Sequence, residues 1–186
     1  MKATPQNIAL QLNNHTRLCK EDAALRLGLR ESAFATLYIG IPLLRGWIKN
    51  NFYMICIGLT WQRIARRRSA DAASRHEKTC IEIESADRKL SLRLEKMRKL
   101  AAEHGMPPIS MERYPGKEYV LRILCVECAI FVRVLRGIEE TLQIALWLEL
   151  KQVIDNKLVY SLRGEAINAL TLIHDTVLGN DYPEKG

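Results

Sequence analysis

Apolar residues change period several times along the chain, and each period predicts an element. Residues 7–13 read N-I-A-L-Q-L-N. Ile8, Leu10 and Leu12 alternate with Asn7, Ala9, Gln11 and Asn13, the pattern of a strand with one dry and one wet face. Pro5 and Asn13-Asn14 bound it. An amphipathic helix follows from Thr16 to Leu27, with Leu18, Ala24, Leu25 and Leu27 on one side and Lys20, Glu21, Asp22 and Arg26 on the other. Gly28 stops it. A second helix is expected to start near Arg30 or Ser32, because Phe34, Leu37, Ile41 and Leu44 form a 3-4-3 stripe. Pro42 inside that stripe predicts a kink or break near Gly40.

Beyond a further apolar stretch at 47–61 the pattern narrows. Ile83, Leu90, Leu94, Met97 and Ala101 recur at heptad-like spacing among Lys, Arg and Glu, which predicts one long helix over 62–103 with a narrow apolar seam. Gly105 and Pro107-Pro108 end it. Residues 117–152 are apolar on most faces and read as a buried central helix. A last helix is expected over 157–178, with Leu162, Ala166, Ala169, Leu170 and Ile173 inward. The fold class is therefore mainly α. An N-terminal ribbon-helix-helix occupies 1–50, and a helical bundle, the long helix plus a hairpin over 117–178, occupies 51–186.

A single short strand leaves its backbone edge unpaired. Two chains would pair their strands into an antiparallel ribbon, which makes the protein a homodimer or larger and fits the major groove of double-stranded DNA. Ile8, Leu10 and Leu12 would then pack inward, while Asn7, Ala9, Gln11 and Asn13 face the bases. The amides of Asn7 and Gln11 suit adenine, and Ala9 suits a thymine methyl. Arg17 completes the N-terminal set, and Arg30 and Ser32 at a helix start suit a phosphate. A helix-turn-helix over residues 21–41 is the rival arrangement. Arg63, Arg66 and Arg67 are expected to share one helical face and grip backbone phosphates.

Charge strengthens the DNA reading. Residues 1–80 hold 13 Lys/Arg against 5 Asp/Glu, whereas the remainder is nearly balanced at 15 against 16, so the whole +7 excess belongs to the first half. Such a one-sided field favours a polyanion. Apolar residues make up 48% of the 186, enough for a real core, which excludes disorder of the whole chain.

Catalytic signatures are missing: no phosphate-cradling glycine loop, no H-E-x-x-H and no G-x-S-x-G. The protein is expected not to be an enzyme and to need no cofactor. Its five cysteines, an odd number without a secretory leader before them, point to reduced thiols and a cytoplasmic, bacterial setting. Cys125-Val-Glu-Cys128 lacks a second pair or a neighbouring histidine in sequence and reads as two small core residues. His15, His76, His104 and His174 are far apart. Arg45, Lys49, Asn50 and Asn51 cut the apolar region 33–61 into pieces too short for the ~20 residues of a membrane span.

The stretch I-A-L-Q-L-N-N-H-T-R at 8–17, the charged helix I-E-S-A-D-R-K-L-S-L-R-L-E-K-M from Ile83, and the segment from Tyr119 through A-L-W-L-E-L to Asp155 resemble the AcaB-like family encoded by conjugative plasmids and integrating conjugative elements. The family's acidic D-D-P-Y element has its nearest counterpart in Asn50-Asn51-Phe52-Tyr53. The resemblance covers most of the chain. It implies a transcriptional activator of transfer genes, with RNA polymerase as a candidate partner. A relaxosome or partition accessory protein and a helical protein-protein adaptor are the alternatives.

Overall fold

The structure, a computed structural model of the chain, describes residues 33–106 and 116–179. The expected strand at 7–13 and the helix after it lie outside the described residues. The described elements run β1 (Ala33–Ile39), α1 (Pro42–Ala65), α2 (Ala70–Glu103), β2 (Lys117–Ile123), α3 (Val126–Leu150) and α4 (Asn156–Leu178). The molecule is mainly helical, with one small antiparallel sheet.

Two expected helical stretches are strands. The stripe of Phe34, Leu37, Ile41 and Leu44 fits a helix by spacing, but Phe34 to Ile39 is extended in β1. Alternation wins there: Leu37 and Ile39 are buried and Ala35 packs on the core, while Phe34 is 67% exposed. Residues 117–123 were likewise expected to open the central helix, yet they form β2, with Leu121 buried and Val120 exposed. Each strand supplies the edge the other needs, in a register that sets Phe34 opposite Arg122, Thr36 opposite Val120 and Leu37 opposite Tyr119. Among the described residues the ribbon thus pairs two strands of one chain.

Pro42 does not kink a helix. It stands at the first position of α1, where its missing N–H costs nothing, and the break at Gly40 falls where it was expected. Residue 50, the expected boundary, lies inside α1. The long helix begins at Ala70, not near 62. Ser69 sets the new start by accepting the Ala72 N–H at 3.2 Å. Its expected seam is present: Ile83, Leu94, Met97 and Ala101 are buried. The last helix also matches, from Asp155, which caps Leu158 N–H at 2.9 Å, to Gly179 in the left-handed region at φ 72°.

α1 and α3 run antiparallel through one core, because the start of α1 meets Glu139 while its end meets Glu127 and Cys125. Phe52 stacks on Phe131 between them, centroids 6.0 Å apart. α4 closes the opposite side of α1 at Gly58, where a Cβ would stand 2.5 Å from Val177 Cγ1. Ion pairs from α2 to its neighbours, Arg98 to Glu140 and Arg93 to Glu165, are exposed and add little energy.

The corner between β1 and α1 depends on a residue from α3. Ile41, the N-cap of α1, has no side chain able to cap the helix. Glu139, fully buried, supplies the acceptor: its carboxylate takes the Gly40 N–H at 2.6 Å and the Ile41 N–H at 3.2 Å, and Gln143 donates to it as well. Burial pushes its carboxyl above the usual range, against the opposing pull of Gln143 and the two amides. Glu139→Ala would strand two buried N–H groups at about 1–3 kcal/mol each. We expect Glu139→Ala to lower the urea midpoint by an amount of that order, and Glu139→Gln, which keeps one acceptor oxygen, to cost less than half as much. Equal losses in the two variants would show that the amides do not depend on this acceptor.

Candidate nucleic-acid interface

The basic region lies at the joint between α1 and α2. α1 ends at Ala65, and the next residues turn tightly, Arg66 N–H donating to Gln62 O at 2.9 Å and Arg68 N–H to Ala65 O at 2.8 Å. Ser69 then caps α2, so the positive end of the α2 helix dipole adds to the three guanidinium groups. Arg66, Arg67 and Arg68 are all exposed, and none has an ion-pair partner among the described residues. Arg75 and Lys78 continue the exposed basic residues along α2, with the exposed acids Asp71 and Glu77 among them.

Arg63 behaves differently from the shared helical face expected of it with Arg66 and Arg67. It belongs to α1, whereas Arg66 and Arg67 belong to the turn, because the helix stops at Ala65. Its guanidinium is bound by Glu127 at the start of α3, Nη1 to Oε2 being 3.1 Å. Glu127 also lies 3.5 Å from His76 Nε2, and His76 lies 3.6 Å from Cys80 Sγ. This cluster escaped the sequence reading, although His76 and Cys80 stand at i and i+4, the spacing that puts two side chains on one helix face. Cys125 was expected inside a helix. It is instead the N-cap of α3, with its sulfur 3.1 Å from that of Cys128.

The ribbon approaches this same end. Ala33, where β1 begins, pairs with Ile123, two residues before Cys125, and Cys125 sits beside Thr60 near the end of α1. Asn7, Ala9, Gln11, Asn13, Arg17, Arg30 and Ser32 lie outside the described residues, in the stretch that leads into Ala33. The outer face of the described ribbon carries Phe34, Thr36, Tyr38, Glu118, Val120 and Arg122. Exposed Phe34 and Val120 and the acidic Glu118 make it a poor match to base edges.

Neither a protein-family model nor a curated protein matches the chain. The described architecture, a helical body carrying a short two-stranded sheet, defines its structural class. It is similar to the crystal structure of AcaB from uropathogenic E. coli, with a TM-score of 0.64 over 80% of each chain at 14% identity. At that identity the likeness establishes an AcaB-like fold. Among the described residues no helix is long and apolar enough to cross a membrane.

Two buried groups behind the arginine turn make stability fall in acid. Burial holds His76 below its ordinary 6.5, with Arg66 and Arg63 adding to the effect against the pull of Glu127. Burial alone would raise the Glu127 carboxyl, but its own backbone N–H, the Cys125 thiol and Arg63 outweigh burial and hold it below its ordinary 4.5. Both groups accept protons more readily in the unfolded chain. Their stabilisation is therefore complete above pH 6.5 and is lost as the pH falls, first through His76 and then through Glu127. Denaturation across pH 4–7 is expected to show this decline. Glu127→Gln should flatten its lower part and cost about 1–3 kcal/mol at neutral pH. An unchanged pH slope in the variant would contradict this assignment.

Proposed function

We propose that the protein is a DNA-binding transcriptional regulator, an activator of conjugative transfer genes that acts as a homodimer. In this reading residues 7–13 of two chains pair and lay Asn7, Ala9, Gln11 and Asn13 in the major groove. Arg17, Arg30 and Ser32 hold phosphates beside it, and the turn at Arg66 and Arg67, with Arg68, reaches phosphates farther out. The observation that carries the proposal is the turn itself: three exposed arginines with no ion-pair partner among the described residues, at the mouth of a helix N-terminus. It stands at the end of the molecule from which the chain leads back to 1–32. The excess of positive charge in the first 80 residues and the resemblance to the AcaB-like family support the same reading. Activation, with RNA polymerase as partner, rests on that resemblance.

A protein-protein adaptor is the second reading. What favours it is the apolar outer face of the ribbon, where Phe34 is 67% and Val120 59% exposed.

Gel shifts on DNA upstream of neighbouring genes separate the two. Specific binding is expected, weakening steeply with salt. Gln11→Ala should lose specific binding and keep non-specific binding. Replacing Arg66, Arg67 and Arg68 together by Ala should weaken both and reduce the slope of log affinity against log salt by roughly 2–3. No DNA binding at low salt, or a response flat in salt, would end the DNA reading in favour of the adaptor.

A further inference from the structure

His76, Cys80 and Glu127 bring three different metal-ligating donors together behind the arginine turn. Their donor atoms all lie within 4.8 Å of one another. Two of the three edges are already close to those of a tetrahedral site, with His76 Nε2 at 3.6 Å from Cys80 Sγ and 3.5 Å from Glu127 Oε1. Zinc–donor bonds of about 2.0–2.3 Å imply donor separations of roughly 3.3–3.8 Å, so only a small contraction is needed. The geometry points to a binding site for a thiophilic divalent cation, zinc above all, ligated by His76 Nε2, Cys80 Sγ and a Glu127 carboxylate oxygen.

The surroundings suit a metal in two ways. His76 and Glu127 are buried and Cys80 half-buried, so water competes poorly. Arg63 holds the other side of Glu127, Nη1 to Oε2 at 3.1 Å, as an outer partner orients a ligating carboxylate. Arg63 and Arg66 oppose a cation electrostatically. The Glu127 carboxylate and the Cys80 thiolate offset the charge of the ion itself. On binding, Cys80 gives up its thiol proton to solvent and forms the sulfur–metal bond with no change of oxidation state. The consequence is structural. α2 and the start of α3 become clipped together immediately behind the turn that carries Arg66, Arg67 and Arg68.

Cobalt(II), a coloured stand-in for zinc, tests the site in the full chain under reducing conditions after chelator treatment. One cobalt per chain is expected, with a sulfur-to-cobalt charge-transfer band in the near ultraviolet that zinc abolishes. Cys80→Ser should remove the band. His76→Asn should weaken cobalt binding by about tenfold or more, since losing a ligand exceeds the loss of an outer partner. Circular dichroism of the metal-free variants checks their folding. Alkylation of the wild-type chain gives an answer that needs no variant, because zinc should protect Cys80. Absence of a cobalt band and of zinc protection in the wild type would overturn the proposal. So would a band that survives Cys80→Ser but is lost in Cys128→Ser, which would place the metal on the C-x-x-C pair.

Discussion

A single buried carboxylate holds the two halves of the sheet-and-helix body in register. Glu139 comes from the middle of α3, 98 residues along the chain from Ile41, and accepts the backbone N–H groups of Gly40 and Ile41. The Ile41 N–H is one of the donors a helix start leaves unpaired, the Gly40 N–H lies just before it, and Ile41 has no side chain to satisfy either. The contact is therefore both a helix cap and a long-range tether. Once it fixes where β1 turns into α1, the ribbon must lie over α3, with Arg136 donating to Thr36 O at 3.2 Å, and α1 must run back along α3. The cost of burying the charge shows in the raised carboxyl of Glu139. It is offset by three donors converging on one group, the condition under which a buried ion is tolerated.

With that corner fixed, the rest of the core follows from close packing. Phe52 and Phe131 stack where α1 crosses α3, and Gly58 allows Val177 of α4 to approach α1 more closely than any side chain would permit. The opposite end of the same α1–α3 pair is tied by Arg63 to Glu127, a partly exposed contact and a weaker one. One end of the pair is therefore held by a dry, multiply bonded carboxylate. The other is held by an ion pair whose arginine is partly exposed and whose carboxylate is buried among titratable groups, and it carries the arginine turn.

Legibility from sequence followed the range of the forces involved. α4 was readable because its cap Asp155, its seam and its stop Gly179 are all local. The seam of α2 was readable for the same reason. β1 and β2 were not, since a strand of seven residues has too few turns of a pattern to separate a period of 2 from one of 3.6, and each strand exists because the other pairs with it 78 to 90 residues away. The division between α1 and α2 hinged on Ser69, a capping residue hidden among small and basic neighbours. For the site, the exposed Arg66 and Arg67 were legible as charge. The partnership of Arg63 with Glu127, and the meeting of His76 and Cys80 with Glu127, depend on α2 docking against α3 and left only the i, i+4 spacing of His76 and Cys80 as a trace.

The electrostatics of the turn argue for a partner on physical grounds. At the end of α1 a basic residue is favourable, because the last carbonyls of a helix are its negative end, and Arg63 already fills that role. Arg66, Arg67 and Arg68 fall after it and immediately before the N-terminus of α2, where the dipole is positive and further cations are unfavourable. Adjacent like charges add repulsion of their own, only partly screened at separations below the ~8 Å Debye length. For folding alone, an uncharged turn would be better. Among the described residues Glu127 is committed to Arg63, and no ion pair joins Asp71 or Glu77 to the three arginines. Three cations without an ion-pair partner among the described residues would gain from an anion arriving from outside, and in the proposed DNA-binding role phosphates with their released counterions supply that gain.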